Sequence, residues 1–149
     1  RTVSRGLGDV YKRQEQLALE AGLADNPLDE LGILQSELFR AVRLVVDTGM
    51  HYKKWTREKA MAYMKAKTGM SDTEVRVEIE RYIVWPAQAL SYKVGMIKIL
   101  ELRKRAQDAL GEKFNIKDFH SALLDHGSPP LFIVEEKVKD MINNAKLLN

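Results

Sequence analysis

Residues Arg81 to Leu102 read RYIVWPAQALSYKVGMIKILEL, and the fold turns on how that stretch is read. Between Tyr82 and Ile97 its only charged side chain is Lys93. Wound at about 3.6 residues per turn, Trp85, Ala89, Leu90, Val94, Met96, Ile97, Ile99 and Leu100 cover most of the circumference. A helix that is apolar nearly all round is expected to lie buried in the middle of a larger body. Each polar group in such a helix needs a partner once it leaves water. This one carries Gln88, Tyr92 and Lys93, with Arg81 and Tyr82 just ahead of Pro86. Gln88 and Tyr92 are four apart and share a face. Pro86 predicts a kink or a fresh helix start. Two readings follow: a central core helix with a few satisfied hydrogen bonds, or one wall of a buried polar site.

Upstream, Asn26-Pro27 marks a helix start, with Asn as N-cap, Pro at the first position and Asp29 and Glu30 in the first turn. Leu31, Leu34, Leu38, Ala41 and Leu44 or Val45 recur at three and four, predicting a helix to about Thr48 or Gly49. Near its end Arg43 and Asp47 form an i,i+4 pair expected to bond each other. Thr56 caps a helix to about Lys67. The box Ser71-Asp-Thr-Glu74 opens another that runs to the Trp85-Pro86 break. Downstream, the central helix turns amphipathic after Lys98 and closes at Gly111. Asn115 caps a helix that ends at Gly127, and Ser128-Pro129-Pro130 leads into a last helix from Leu131 to about Leu148. A short helical piece is expected from Glu15 to Gly22. Nothing alternates at period two over a useful length, so the fold class is all-α, with about six helices and short loops.

Of the 149 residues, 45% are hydrophobic and 30% charged, which is a globular composition. No apolar run reaches the roughly 18 residues of a membrane span. There are no cysteines, so disulfides and thiolate metal ligands are excluded. The formal charge of +3 is concentrated at the start. Four of the 24 basic residues and one of the 21 acidic ones lie in residues 1–14, leaving 20 of each. A balanced body carries no electrostatic footprint for a phosphate backbone, which argues against nucleic acid. Within residues 1–14, the run SRGLGDVYKRQ (Ser4 to Gln14) resembles the translation of a transposase mosaic-end sequencing adapter. Residues 1–14 are therefore set aside as non-native, and residues 15–149 are read as the helical C-terminal region of a larger domain.

The three histidines do not form a metal motif. There is no HExxH, no glycine-rich phosphate loop and no GxSxG. His120, beside Phe119, reads as structural, and His126, beside Gly127, as a C-terminal cap group. His51, expected in a loop near Tyr52 and Trp55, is the best functional candidate of the three.

Four stretches together resemble the C-terminal region of a bacterial family known as domain of unknown function 885. They are ELFRAVRLVVDTGMH (Glu37 to His51), WTREKAMAYM (Trp55 to Met64), ERYIVWPAQALSYKVGMIKILELR (Glu80 to Arg103) and GEKFNIKDFHSALLDHGSPPL (Gly111 to Leu131). Two departures stand out: Ala87 replaces the family's usual glycine, and SPP replaces a small apolar residue before Pro-Leu. Ala87 is expected to be harmless, because alanine is the better helix former. The family looks like the mainly helical zinc metallopeptidases, similar to angiotensin-converting enzyme and the Taq-type carboxypeptidases. The resemblance implies a gluzincin-like fold whose zinc ligands, on an HE…HH helix, lie upstream in the complete protein. It also implies a peptide substrate, with this chain as the opposite cleft wall and the N-terminal half of the same protein as its partner. Arg81, Tyr82 and Tyr92 resemble an Arg-Tyr pair and a following tyrosine that lie near substrate and zinc in those relatives. On that basis Tyr92 is the candidate oxyanion donor, with Arg81, Tyr82, Gln88, Lys93 and His51 as candidate substrate contacts. No metal ligand is expected within this chain, and alone it is expected to be inactive. A non-catalytic helical interaction module is the alternative. The compartment, cytoplasm or cell envelope, stays open.

Overall fold

The computed structural model describes residues 22, 26–125, 127 and 129–147. The segment 1–14, the helical piece before Gly22 and the cap role of His126 lie outside them. Among the described residues there are six helices and no strand. They are α1 (Pro27–His51), α2 (Arg57–Thr68), α3 (Asp72–Val84), α4 (Gln88–Leu110), α5 (Ile116–Leu124) and α6 (Leu131–Leu147). A single 3-10 turn, Gly111–Lys113, follows α4. None of the described helices is long and apolar enough to cross a membrane.

The caps form where the sequence signals them. Asn26 Oδ1 accepts from the amides of Leu28 and Asp29, at 2.9 and 3.1 Å. Thr56 accepts from Lys59 and Asn115 from Lys117. Ser71 and Glu74 close both arms of a capping box, and Ser71's hydrogen bonds hold the Glu74 carboxyl below its ordinary range. Gly69 ends α2 in the left-handed conformation that glycine adopts at little cost.

The chain divides into two compact units, with the boundary between Lys93 and Val94. In the first, α1 to α3 and the opening turns of α4 enclose Val42, Val46, Met50, Ala60, Met64, Val75, Ile79, Tyr82 and Ala89. Trp55 packs on this core and against the Gly49 backbone: a Cβ on Gly49 would come within 2.6 Å of the indole. In the second, Ile99, Leu102 and Ala106 of α4 pack with Phe119 and Leu123 of α5 and Val134, Val138 and Ile142 of α6. Lys98 and Arg105 both reach Glu135 across that surface, at 3.0 and 3.1 Å.

Several expectations need correcting. Helix α1 runs on to His51, because the amides of Tyr52 and Lys53 still bond the Thr48 carbonyl. His51 is therefore the last residue of a helix and not part of a loop. The α4 stretch is not buried all round: Trp85, Val94 and Ile97 are 57%, 46% and 53% exposed. The side chains of α5 and α6 cover the stripe Ile99, Leu102, Ala106, spaced by three and four, and leave Val94 and Ile97 outside it. Ala87 is not helical either; it holds φ +66° in the turn between α3 and α4. That is the left-handed region where glycine is the easy occupant, so alanine here is strained. Arg43 and Asp47 do not bond each other, as the turn they serve makes clear.

Candidate functional site

Phe39, Arg43, Asp47 and His51 follow one another at four-residue intervals along α1. That spacing lines them on one face, which looks across to the α3–α4 turn. Arg43 and Asp47 are only 5% and 2% exposed, although charged groups are rarely sealed in without a partner. Asp47's partner is backbone: both carboxylate oxygens accept the amide of Ala87, at 3.2 and 3.1 Å. Its carboxyl is held above its ordinary range by burial, against the opposing pull of the Ala87 amide, His51 and Arg43. The bond pins the strained turn, and with it the direction in which α4 sets out.

Arg43 turns the other way. Its guanidinium carbon lies 4.4 Å from the centre of the Tyr92 ring, with Tyr82 at 5.3 Å and Phe39 at 5.4 Å. These are cation–π distances. Its Nη2 donates to Gln88 Oε1 over a long 3.4 Å, and its buried Nε has no hydrogen-bond partner. Gln88 Nε2 in turn donates to the Tyr92 hydroxyl oxygen at 3.1 Å. Gln88 and Tyr92 are both half-buried.

The remaining sequence candidates take up supporting positions. Tyr82 is fully buried, and its hydroxyl donates to Glu78. Burial, with that hydrogen bond, pushes the phenol well above its ordinary pKa. Arg81 also donates to Glu78, at 2.5 Å. Lys93 pairs with Glu37 of α1. His51 Nε2 lies 2.9 Å from the Tyr82 carbonyl and donates to it, tying the end of α1 to α3. The structure thus gathers Tyr92, Gln88, Lys93, Tyr82, Arg81 and His51 within one unit, with Tyr92 and Gln88 at its polar corner. Sequence reasoning missed Arg43 and Asp47 as its centre. The available signal was the i,i+4 run Phe39, Arg43, Asp47, His51, which puts charge on the buried side of α1. Among the described residues no three His, Cys, Asp or Glu come together as a metal site.

The family described as bacterial protein of unknown function (DUF885) matches residues 10–138. The chain is similar to the crystal structure of "the putative lipoprotein from Colwellia psychrerythraea", with 50% identity and a TM-score of 0.85 over 87% of this chain. It is also 29% identical over 133 residues, 80% of its length, to ubiquitin carboxyl-terminal hydrolase 7 of Caenorhabditis briggsae. The chain spans 22% of the solved structure's chain and 11% of the hydrolase.

Proposed function

This chain belongs to the bacterial protein family of unknown function DUF885, and from that premise we propose that it forms one wall of the cleft of a zinc-dependent metallopeptidase. The observation that carries the reading is the corner at the start of α4. There a glutamine and a tyrosine, hydrogen-bonded to each other, stand half-buried beside a sealed guanidinium. Donors held rigidly at a partly desolvated surface are what the developing oxyanion of acyl transfer requires.

Each candidate then has a role. Tyr92 donates to the oxyanion. Gln88 bonds the peptide backbone. Arg81, Lys93 and His51 form the polar rim that meets the substrate. Tyr82, behind them, acts by holding Glu78, which in turn orients Arg81. The described residues do not fit a zinc site, so the metal's ligands in this reading lie in the remainder of a longer protein. A bound zinc there would supply an activated water; no step of this chain's own chemistry is derived through it.

The test is Tyr92→Phe in a longer DUF885 protein that contains this chain. Loss of an oxyanion donor should lower kcat about 100-fold with KM nearly unchanged. Unchanged turnover on a peptide substrate would remove Tyr92 from the mechanism.

A second reading, a non-catalytic interaction module, draws support from the exposed apolar row Leu28, Leu31, Leu34 and Leu38 on α1. It gains ground if the longer protein hydrolyses no peptide with zinc and the isolated chain self-associates in light scattering.

A further inference from the structure

Four cations of the first unit face a carboxylate. Arg57 is paired with Glu80, Lys65 with Asp72, Arg81 with Glu78 and Lys93 with Glu37. Arg43 is more deeply buried than any of these, yet no carboxylate of the described residues lies within ion-pair distance. Asp47 attracts it through space only, its two oxygens being engaged by the Ala87 amide. Three aromatic faces offset part of the cost of this buried charge, but a ring face is no hydrogen-bond acceptor in the guanidinium plane.

Of Arg43's unsatisfied donors, the one sealed from solvent is Nε. Nε has no acceptor, and Nη2, its neighbour on that side, holds only the long 3.4 Å contact to Gln88. An Nε–Nη2 edge is the side-on fork that grips a carboxylate through two parallel hydrogen bonds. Lys93, nearby in sequence, adds no free charge because Glu37 neutralises it. One uncompensated positive charge, walled by aromatic rings, therefore suits a single carboxylate next to an apolar group and not a multiply charged phosphate.

We propose that Arg43 is a receptor for a monovalent carboxylate, of the kind at the C-terminus of a peptide, which displaces the weak Gln88 contact and takes the Nε–Nη2 edge. The choice of a peptide terminus rests on the peptidase reading above. Arg43 binds and orients the ligand; Gln88, half-buried, is the side chain that yields to admit it.

The test needs no metal and no turnover. The 149-residue chain, labelled with nitrogen-15, is titrated with N-acetyl-phenylalanine and, separately, with N-acetyl-phenylalaninamide, while the arginine Nε–H signals are followed. Arg43→Lys identifies the Arg43 signal by its loss. The acid should shift that signal saturably at millimolar concentration, as a single charged contact allows. The amide should bind at least about tenfold more weakly, the cost of losing a charge-assisted pair. Arg43→Met should abolish acid binding as seen from the remaining amide signals. An unmoved Nε–H signal, or equal responses to acid and amide, overturns the proposal. Should Arg43→Met fail to fold, the acid–amide contrast in the unaltered chain decides alone. Failure of a longer protein to hydrolyse peptides would sink the peptidase reading while leaving this titration unchanged, so the two fail separately.

Discussion

The two units of this chain solve the problem of a helical core in opposite ways. The one beginning at Val94 buries an apolar cluster around Phe119 and leaves its charges, Lys98, Arg105 and Glu135, to pair on the surface. The one ending at Lys93 draws an arginine, an aspartate and a tyrosine hydroxyl inside; the aspartate and the hydroxyl find donor and acceptor partners there, and the arginine's Nε does not. Surface pairs tolerate loose geometry, because water makes good what they lack. Buried polar groups do not, because a missed partner costs the full desolvation of the group. The difference teaches where to look for function: a fold accepts such constraints where donors have to stand in fixed positions.

The contrast can be sharpened by mutation. The largest effect should come from the apolar unit. Phe119→Ala removes a fully buried ring and should cost about 3–5 kcal/mol in urea denaturation, the range for large-to-small aromatic truncation. A loss under about 1 kcal/mol would mean that this cluster is not the unit's support. In the polar unit a gain is expected. Ala87→Gly relieves a left-handed alanine while keeping the amide that Asp47 holds, and should raise stability by about 1 kcal/mol. A lower midpoint would show that the turn is not strained.

The smallest effect is one of pH. Burial raises Asp47's folded pKa above its ordinary value of 3.8. A raised folded pKa means stability that is fully present below the unfolded value and lost as pH rises through the folded one. Denaturation of the unaltered chain and Asp47→Asn between about pH 3 and about pH 7 should show the difference in stability moving against the unaltered chain as pH rises across that window. A flat difference would make Asp47 an ordinary solvated acid, and the opposite slope would mean that the Ala87 amide, His51 and Arg43 outweigh its burial.

Much of the secondary structure was legible. Asn26-Pro27, Thr56, the Ser71–Glu74 box and Asn115 each start a helix, because a side chain that satisfies orphan amides acts within a turn of its own position. Trp85-Pro86 likewise ends α3, since proline restricts its neighbour whatever surrounds it. The site was legible only in part. Gln88 and Tyr92 were placed together from their spacing, and the structure joins them. Arg43 and Asp47 read as a local pair, yet each is claimed by groups some forty residues away.

The sequence by itself determined the all-α class, the helix starts and the break before α4, all of which rest on interactions between residues a few positions apart. Only the tertiary structure decided that Ala87 is left-handed, that the circumference of α4 is half exposed, and that Arg43 is sealed among three rings without an acid. Those outcomes depend on which distant group reaches a polar atom first. No periodicity encodes that, because burial and hydrogen-bond partnership are properties of the packed chain and not of its local windows.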